Sequence, residues 1–193
     1  MTIAENIKRL FDPYFSAPLK AWKVFTDFGE VVSFDEEKVI KQTGSTENYL
    51  SFILKGSGGI LLWNNNNFVC IDICFEGEFF GDYMSFLTGK ISPIEIVTFE
   101  PSKLFRISKT NFQKLEKTKY GSNICRSAAE QLFIQKQNQQ IEILTKTPTQ
   151  RYQDFLNFRP NLIQRIPQKF LASYLGITPQ SLSRIRRKII NNN

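Results

Sequence analysis

The side chains with the most evident chemistry lie in residues 167–190, near the end of the 193-residue sequence. Gln180, Arg184 and Arg187 fall on one face of a predicted helix there. Glutamine suits adenine and arginine suits guanine, because each makes paired hydrogen bonds to that base in the major groove. The segment therefore indicates a DNA reader. Its candidate contacts are Thr178, Gln180, Ser181, Ser183, Arg184 and Arg187, with Lys169 on the preceding helix.

Two predicted helices and a tight turn would position these side chains. Pro167 opens the first helix, and Gly176 ends it because the sharp turn needs a residue that accepts positive φ. Thr178 caps the second helix and Pro179 begins it, a pattern typical of a helix-turn-helix motif. The alternative is a basic helical hairpin that contacts protein. The predicted buried residues are Phe170, Leu171, Tyr174 and Leu175 on the first helix and Leu182, Ile185 and Ile189 on the second.

Positive charge is concentrated in the same part of the chain. The net charge is +7, but from Lys146 onward nine Lys or Arg face one acid, Asp154, which gives that segment +8. Residues 1–145 carry −1. A nearly neutral part joined to a basic part indicates a sensor attached to a polyanion binder. A basic tail that only aids solubility is the alternative.

A long predicted helix, residues 122–146, precedes the basic segment. Its polar middle would suit a solvated surface helix, but its position before a DNA reader favours a helix that forms a homodimer. Thr147, Pro148 and Gln150 form a capping box that starts the next helix, residues 148–158, so residues 145–147 are a predicted hinge. One seam of the long helix holds Ile124, Ala128, Gln131, Gln135, Asn138 and Glu142, with Leu132, Ile134, Ile141 and Leu144 around it.

The first half of the chain has mainly the pattern of β-structure. Residues 1–27 predict two helices, the second at 19–26 after Pro18, and residues 111–118 predict a short helix. Between them lie short β-type runs separated by turn residues, including the Asn64–Asn67 hairpin tip. Such spacing predicts a barrel or jelly roll, so the fold class is α+β. The predicted strands are 30–34, 38–41, 49–55, 58–63, 68–75, 94–99 and 103–108.

Cysteine and histidine usage excludes several functions. The chain has no histidine, so a cupin-type metalloenzyme or a heme sensor is disfavoured, and we expect neither metal nor cofactor. Cys70, Cys74 and Cys125 are too few for an iron–sulfur cluster. Cys70 and Cys74 lie four apart in one strand, which predicts that both fill the core from the same side of the sheet. No signal peptide or membrane span is predicted, which favours the cytoplasm.

The sequence resembles the Crp/Fnr family of regulators in several segments. The segment RYQDFLNFRPNLIQRIPQKFLASYLGITPQSLSRIRRKI looks like the short Crp-type regulators of Bacteroidetes, and KGSGGILLW and GEFFGDYMSFLTG resemble a cyclic-nucleotide-binding β-roll. The resemblance implies a sensor domain at residues 1–120, a dimerisation helix at 121–146 and a winged-helix-like domain at 147–193. The sequence stops at Asn193, so we expect a truncated wing, with docking by the second helix and a hairpin-like segment at 162–167.

The resemblance departs from the family where a cyclic nucleotide would bind. Such family members carry a Gly-Glu pair and then an Arg-Ser or Arg-Thr pair at the phosphate. Here Gly81-Asp82 stands in the first place and Ser92-Pro93 in the second, and Lys136-Gln137 replaces the hydroxyl pair that would meet the base. A buried phosphate would lack its main partner, so we expect no control by cyclic AMP. A residual pocket for an unknown small-molecule effector would use Gly81, Asp82, Tyr83, Met84 and Ser92.

The sequence thus leaves three functions to compare. A homodimeric regulator that binds double-stranded DNA, with RNA polymerase as a further partner and no membrane contact, agrees with the most observations. A small-molecule-binding module whose basic segment contacts protein is the second hypothesis. A cupin-like enzyme is the third, and the absence of histidine argues against it.

Overall fold

A computed structural model describes residues 2–13 and 16–191, with side chains described as far as Ile189. The expected truncation of the wing falls at residues 192–193, which lie outside the described residues. One 3₁₀ turn, Ile163–Arg165, accompanies the eight helices and seven strands of the described chain. These are α1 (Ile3–Phe11), α2 (Leu19–Thr26), β1 (Glu30–Phe34), β2 (Val39–Lys41), β3 (Tyr49–Lys55), β4 (Gly58–Asn64), β5 (Asn67–Cys74), α3 (Tyr83–Thr88), β6 (Ile94–Thr98), β7 (Ser102–Ser108), α4 (Lys109–Leu115), α5 (Gly121–Thr145), α6 (Pro148–Phe158), α7 (Gln168–Leu175) and α8 (Pro179–Asn191).

The seven strands form a β-roll of two antiparallel sheets. One sheet has the order β1-β7-β3 and the other β2-β6-β4-β5. All seven predicted strands are present within one residue at each end. The positive φ angles of Asn65 and Asn66 make the tight β4–β5 turn, as expected for asparagine at a hairpin tip. The two sheets confirm the predicted jelly-roll type of β-structure.

Each face of the two sheets packs against a different apolar cluster. The interior of the roll is filled by Ile53, Ile60, Cys74, Phe80, Ile94, Ile96 and Leu104. The outer face of the first sheet packs on α1, α2 and the start of α5 through Trp22, Phe52, Phe105 and Leu115. The outer face of the second sheet packs on the C-terminal helices. The β-roll is therefore covered by helices on two sides.

Cys70 and Cys74 lie on opposite faces of their sheet, so the prediction that they share a face is wrong. The β4–β5 register shifts at Ile71, where Leu61 pairs with Cys70 but Ile60 pairs with Asp72. This bulge inserts one residue and reverses the alternation of side chains beyond it. Cys70 therefore packs against the C-terminal helices and Cys74 fills the roll. Both thiols are buried, in agreement with the predicted core role.

Two local predictions also need correction. Residues 83–88 form a helix, α3, that the strand pattern did not predict; Asp82 caps it by accepting a hydrogen bond from the Ser85 N–H at 3.0 Å. The segment expected to be hairpin-like, residues 162–167, instead contains the 3₁₀ turn at Ile163–Arg165. Ile163 and Ile166 are buried against the C-terminal helices, so tertiary packing favours the turn over an exposed hairpin.

The C-terminal helices and the β-roll share one apolar core. Thr147 starts α6 with the predicted capping box, and the whole helix matches its predicted bounds. Phe170 of α7 stacks on Phe99 at the end of β6, with ring centroids 4.6 Å apart, and also contacts Phe68 of β5. The Ser173 hydroxyl accepts a hydrogen bond from the Cys70 N–H at 2.9 Å. The packing fixes the position of α7, and through it that of α8, relative to the β-roll.

Candidate functional site

The turn between α7 and α8 holds the second helix at a defined angle to the first. Gly176 adopts φ +73°, and its N–H closes the end of α7. Thr178 accepts a hydrogen bond from the Ser181 N–H at 3.2 Å, so it caps α8 as predicted. The Gln168 amide of α7 donates to Ser183 at 2.9 Å and to the Pro179 carbonyl at 3.1 Å. These contacts orient the first turns of α8.

One face of α8 is an exposed polar stripe. Leu182 is fully buried, and Ile185 and Ile189 are half-buried against the same cluster, which places them on the predicted inner side. The opposite side exposes Gln180, Arg184, Arg187 and Lys188, which follow one another at helical spacing. Lys188 was not predicted as a contact, although its spacing from Arg184 is the signal that could have identified it. We refer to these four residues as the α8 stripe.

Three other predicted contact residues have intramolecular roles. Ser181 is half-buried and hydrogen-bonds to Thr178, which itself remains exposed. Ser183 is half-buried and is held by Gln168. Lys169 is exposed on α7, 3.5 Å from the exposed Glu37 carboxylate and over the Phe170 ring. The first turn of α8 therefore presents Thr178 and Gln180 more openly than the two serines.

The cations upstream of α8 are largely used inside the molecule. Arg165 contacts the carboxylates of Glu76 and Glu100 at 2.7 and 2.6 Å, and these hydrogen bonds raise the pKa of the guanidinium further. Arg159 lies 2.8 Å from Glu78. Among the described residues from Lys146 onward, five cations have no ion-pair partner. Arg151 is held by the Tyr174 carbonyl and Arg186 by the Tyr152 hydroxyl, which leaves Arg184, Arg187 and Lys188 as exposed cations without a partner in the described part of the chain.

The segment between β5 and β6, residues 75–93, contains a buried ion pair where the sequence predicted a ligand pocket. We refer to this segment as the cassette. The Lys41 ammonium reaches across from β2, 3.4 Å from the Asp82 carboxylate, and both side chains are about 4% exposed or less. Lys41 donates to the Ile94 carbonyl at 2.7 Å and to Ser92 Oγ at 3.2 Å, and the Ser92 hydroxyl donates to Asp82. Each charged group therefore has its partners within the protein.

A second carboxylate lies beside this pair. Glu47 is buried and accepts hydrogen bonds from the backbone N–H groups of Tyr49 at 3.0 Å and Asp82 at 3.4 Å. Burial raises the pKa of Glu47, partly offset by those hydrogen bonds. One lysine thus faces two acids, Asp82 and Glu47, so the cassette has no excess of positive charge. Sequence reasoning missed both Lys41 and Glu47, because they come from strands and loops far from Asp82 in the sequence.

The five predicted pocket residues do not share one cavity wall. Gly81, Asp82 and Ser92 are buried around the Lys41 ammonium or Glu47. Tyr83 points to the other side of the sheet, where it lines an apolar cavity against α5. Met84 is 66% exposed. The structure thus separates a closed polar network from an open apolar space.

The long helix α5 has two distinct sides. The seam of Ile124, Ala128, Gln131 and Gln135 faces its own chain, where it lines the apolar cavity. The far side exposes Phe133, Ile134, Ile141 and Leu144, each 48% exposed or more. An apolar side of this size on a monomer is typical of a surface that contacts another protein.

Residues 2–13 and 16–191 contain neither a candidate metal cluster nor a candidate membrane-spanning helix. That part of the chain contains no cluster of metal-ligating side chains. It also contains no helix with the length and apolar character that a bilayer span requires.

Comparisons with known proteins agree with this architecture. Residues 31–119 match the cyclic nucleotide-binding domain family. No curated protein sequence matches the chain. The c-di-GMP-responsive global regulator CLP of Xanthomonas campestris is 17% identical with a TM-score of 0.71, over 91% of this chain and 93% of that one. FixK2 of Bradyrhizobium japonicum is 13% identical with a TM-score of 0.63, over 85% of each chain.

The catabolite activator protein of Thermus thermophilus is a further relative in structure. It is 15% identical with a TM-score of 0.57, over 95% of this chain and 87% of that one. At these identities the likeness concerns the fold. The comparisons therefore show a β-roll of the cyclic nucleotide-binding type at residues 31–119 and, over most of the chain, a fold shared with these three regulators.

Proposed function

We propose that the protein is a homodimeric, sequence-specific DNA-binding transcription regulator of Crp/Fnr type, with α7 and α8 as its helix-turn-helix. The observation that carries the proposal is the α8 stripe. Its three cations lack ion-pair partners among the described residues, whereas four of the five cations upstream face carboxylates: Lys146, Arg159, Arg165 and Lys169. Unpaired cations on one exposed helix face can bind the phosphates of a polyanion such as DNA. Glutamine and arginine side chains can also form paired hydrogen bonds with base edges.

Within the α8 stripe, Gln180 and Arg184 lie nearest the start of the helix and would face the bases. Ser181 would add a contact if its hydroxyl leaves Thr178. Arg187 and Lys188 lie further along and would contact the phosphate backbone, and Lys169 of α7 would add a further phosphate contact. The first turns of a recognition helix enter the groove most deeply, which is the reason for this order.

The exposed side of α5 supports a dimer formed with a second copy of the chain. Ile134 and Ile141 are seven residues apart and Leu144 follows three later, which is the spacing of a coiled-coil seam. A two-fold dimer would present two α8 helices to two operator half-sites. In this reading residues 121–146 connect a sensor domain, residues 1–120, to a DNA-binding domain, residues 147–193.

We also propose that cyclic AMP does not control the protein. The interior of the roll is filled by apolar side chains, including Phe80 and Ile96. The cassette cation, Lys41, is neutralised by Asp82, and Glu47 adds a further acid. A bound phosphate would have to displace a buried carboxylate from its own counterion, which is costly. Calorimetric titration with cyclic AMP and cyclic GMP should show no binding; low-micromolar dissociation constants would refute this part of the proposal.

The central experiment measures DNA binding by the full chain. An operator is selected from a random duplex pool, and affinity is then followed by fluorescence anisotropy as salt is raised. If each of two α8 helices contacts two or three phosphates, the logarithm of affinity should fall with the logarithm of salt concentration with a slope of about −4. A slope near zero, or no selected sequence, would contradict the proposal.

The second candidate function, contact of the basic segment with protein, predicts a different result. The α8 stripe would then be exposed for an acidic protein surface, and no duplex sequence would be enriched. Contact with RNA polymerase is compatible with the first proposal, because a regulator contacts DNA and polymerase through different surfaces.

Sedimentation tests the dimer without DNA. We expect a dimer at micromolar concentration for the native chain and a monomer for Ile141→Asp. The substitution would place a charge in the exposed apolar side of α5, where the second copy would pack. Asn66→Asp is the control, since it adds the same charge at an exposed residue of the β4–β5 turn rather than on α5. A native chain that sediments as a monomer would exclude this interface.

A further inference from the structure

An apolar cavity of about 70 Å³ lies outside the β-roll, between the first sheet, the N-terminal helices and α5. It is separate from the roll interior, because Leu50 and Phe52 of its wall point to the opposite face of β3 from Ile53, which fills the roll. It is also distinct from the Lys41–Asp82 network. Its wall on α5 is the seam formed by Ala128, Gln131, Leu132 and Gln135.

Aromatic rings form most of the opposite wall. Phe11 and Phe52 meet edge to face with ring centroids 5.0 Å apart, and Phe79 meets Tyr83 in the same way at 5.6 Å. Trp22 lies 5.8 Å from Phe11. A further ring placed among these would find both ring faces and ring edges at favourable distances.

The charges around the cavity exclude an ionic ligand. Glu78 is the one charged residue of the described lining, and its carboxylate is held by Arg159. Burial also raises the pKa of Glu78, and the neighbouring Arg159 partly offsets this. Among the described lining residues there is no cation to bind a phosphate or carboxylate. An uncharged molecule is therefore the occupant that this wall can accept without a buried unpaired charge.

Two uncharged amide side chains reach the cavity from α5. Gln131 and Gln135 line the cavity from α5, and within the part of the chain that the structure describes no hydrogen bond of their side-chain amides is formed. An amide can donate to or accept from a hydroxyl group. The cavity also shares Phe79, Leu132 and Gln135 with a wider cleft of about 340 Å³ between β5, α5 and α6, which provides a route of entry.

From this geometry we propose that the cavity is an effector site for an uncharged, single-ring aromatic molecule with one hydroxyl group, such as a phenol. The ring packs among Phe11, Phe52 and Phe79, and the hydroxyl group meets Gln131 or Gln135. The ligand contacts α5 directly, so it stiffens the helix that leads to the C-terminal helices. That this changes DNA binding rests on the proposed function; the binding site itself does not.

The test uses 4-bromophenol with the full chain. Calorimetry should give a dissociation constant of about 1 mM or lower, as expected for a small ligand with few heavy atoms. Ala128→Phe should weaken binding at least tenfold by filling the space. Ser122→Phe, an equally bulky change at an exposed residue of α5 outside the cavity, should leave the affinity within twofold.

A second readout locates the ligand without altering the cavity. The chain has two tryptophans, and Trp22 lines the cavity whereas Trp63 does not. In a Trp63→Phe variant, the bromine of the bound ligand should quench the remaining fluorescence by at least half. Absence of binding, binding without quenching, or equal binding by a folded Ala128→Phe variant would overturn the proposal. DNA binding by the ligand-free chain is measured separately, so a failure here leaves the proposed function standing.

Discussion

The ring of Phe99 at the end of β6 stacks on the ring of Phe170 in α7, with centroids 4.6 Å apart and planes 20° apart. This contact joins the β-roll to the helices that carry the α8 stripe. Leu61, Cys70 and Val97 of the roll belong to the same cluster as Leu171 and Leu182. The two parts of the chain therefore do not have separate cores, and the position of α8 depends on the second sheet.

The shared core predicts a single unfolding transition. Phe170→Ala should lower the free energy of unfolding by about 3–5 kcal/mol, because it removes a buried ring that contacts both parts. Phe158→Ala is the matched control; this ring is 83% exposed, so the change should stay within about 0.5 kcal/mol. Urea denaturation followed by tryptophan fluorescence and circular dichroism measures both. Two separate transitions in the native chain would contradict the shared core.

The buried Lys41–Asp82 pair predicts a non-additive effect of mutation. Lys41→Met should cost about 3–5 kcal/mol of unfolding free energy, because Asp82 is left charged and buried without its counterion. The double variant Lys41→Met with Asp82→Asn should be more stable than Lys41→Met alone by at least about 1 kcal/mol, because the asparagine can still cap α3. Denaturant titration of the four proteins gives the coupling energy.

A surface ion pair provides the control for that cycle. Arg126 and Glu130 are 72% and 63% exposed at their side chains, so Arg126→Met should change stability by less than about 1 kcal/mol. If the single and double variants at Lys41 and Asp82 give strictly additive effects, the two groups do not interact as the structure indicates.

The Arg165 contacts predict a pH dependence of stability. Burial opposes ionisation of Glu76, but hydrogen bonds from Arg165 and from the Gly56 N–H outweigh it, so the pKa of Glu76 lies below its ordinary value of 4.5. A lowered pKa in the folded state means stability that is present above pH 4.5 and lost as pH falls through the folded-state pKa. Arg165→Met removes that contribution.

We therefore expect Arg165→Met to destabilise the protein by about 1–3 kcal/mol at pH 7. The difference from the native chain should shrink as pH falls below 4.5. Gln164→Met, at an exposed neighbour in the same 3₁₀ turn, should show no such dependence. Thermal unfolding between pH 3 and pH 7 measures all three, and a pH-independent loss in Arg165→Met would mean that packing rather than charge is responsible.

The α8 stripe predicts different roles for its two arginines. Arg184→Ala should cost about 1–3 kcal/mol on the best operator and reduce the preference at one base pair, because a base contact is lost. Arg187→Ala should weaken binding to all sequences about equally and flatten the salt slope by about one unit. Anisotropy with cognate and scrambled duplexes at several salt concentrations separates them. Equal losses on both duplexes for Arg184→Ala would make it a phosphate contact instead.

The local sequence pattern was sufficient to predict most of the secondary structure of this protein. Turn residues and β-type runs predict all seven strands, and Thr147, Pro148 and Gln150 predict the start of α6 from capping chemistry within four residues. The inner side of α8 follows from the spacing of Leu182 and Ile185. These features depend on neighbours in the sequence, so the sequence contains the information needed to predict them.

Tertiary structure alone decided the features that join distant residues. The sequence by itself placed Asp82 and Ser92 in one candidate pocket, but only the fold brings Lys41 to Asp82, 41 positions later, because β2 contacts the segment between β5 and β6. The bulge at Ile71 reversed the relation of Cys70 to Cys74, since side-chain alternation depends on the pairing strand as well as on residue number. Likewise, α5 carries apolar residues on two sides, and which side faces its own chain is set by packing against the β-roll.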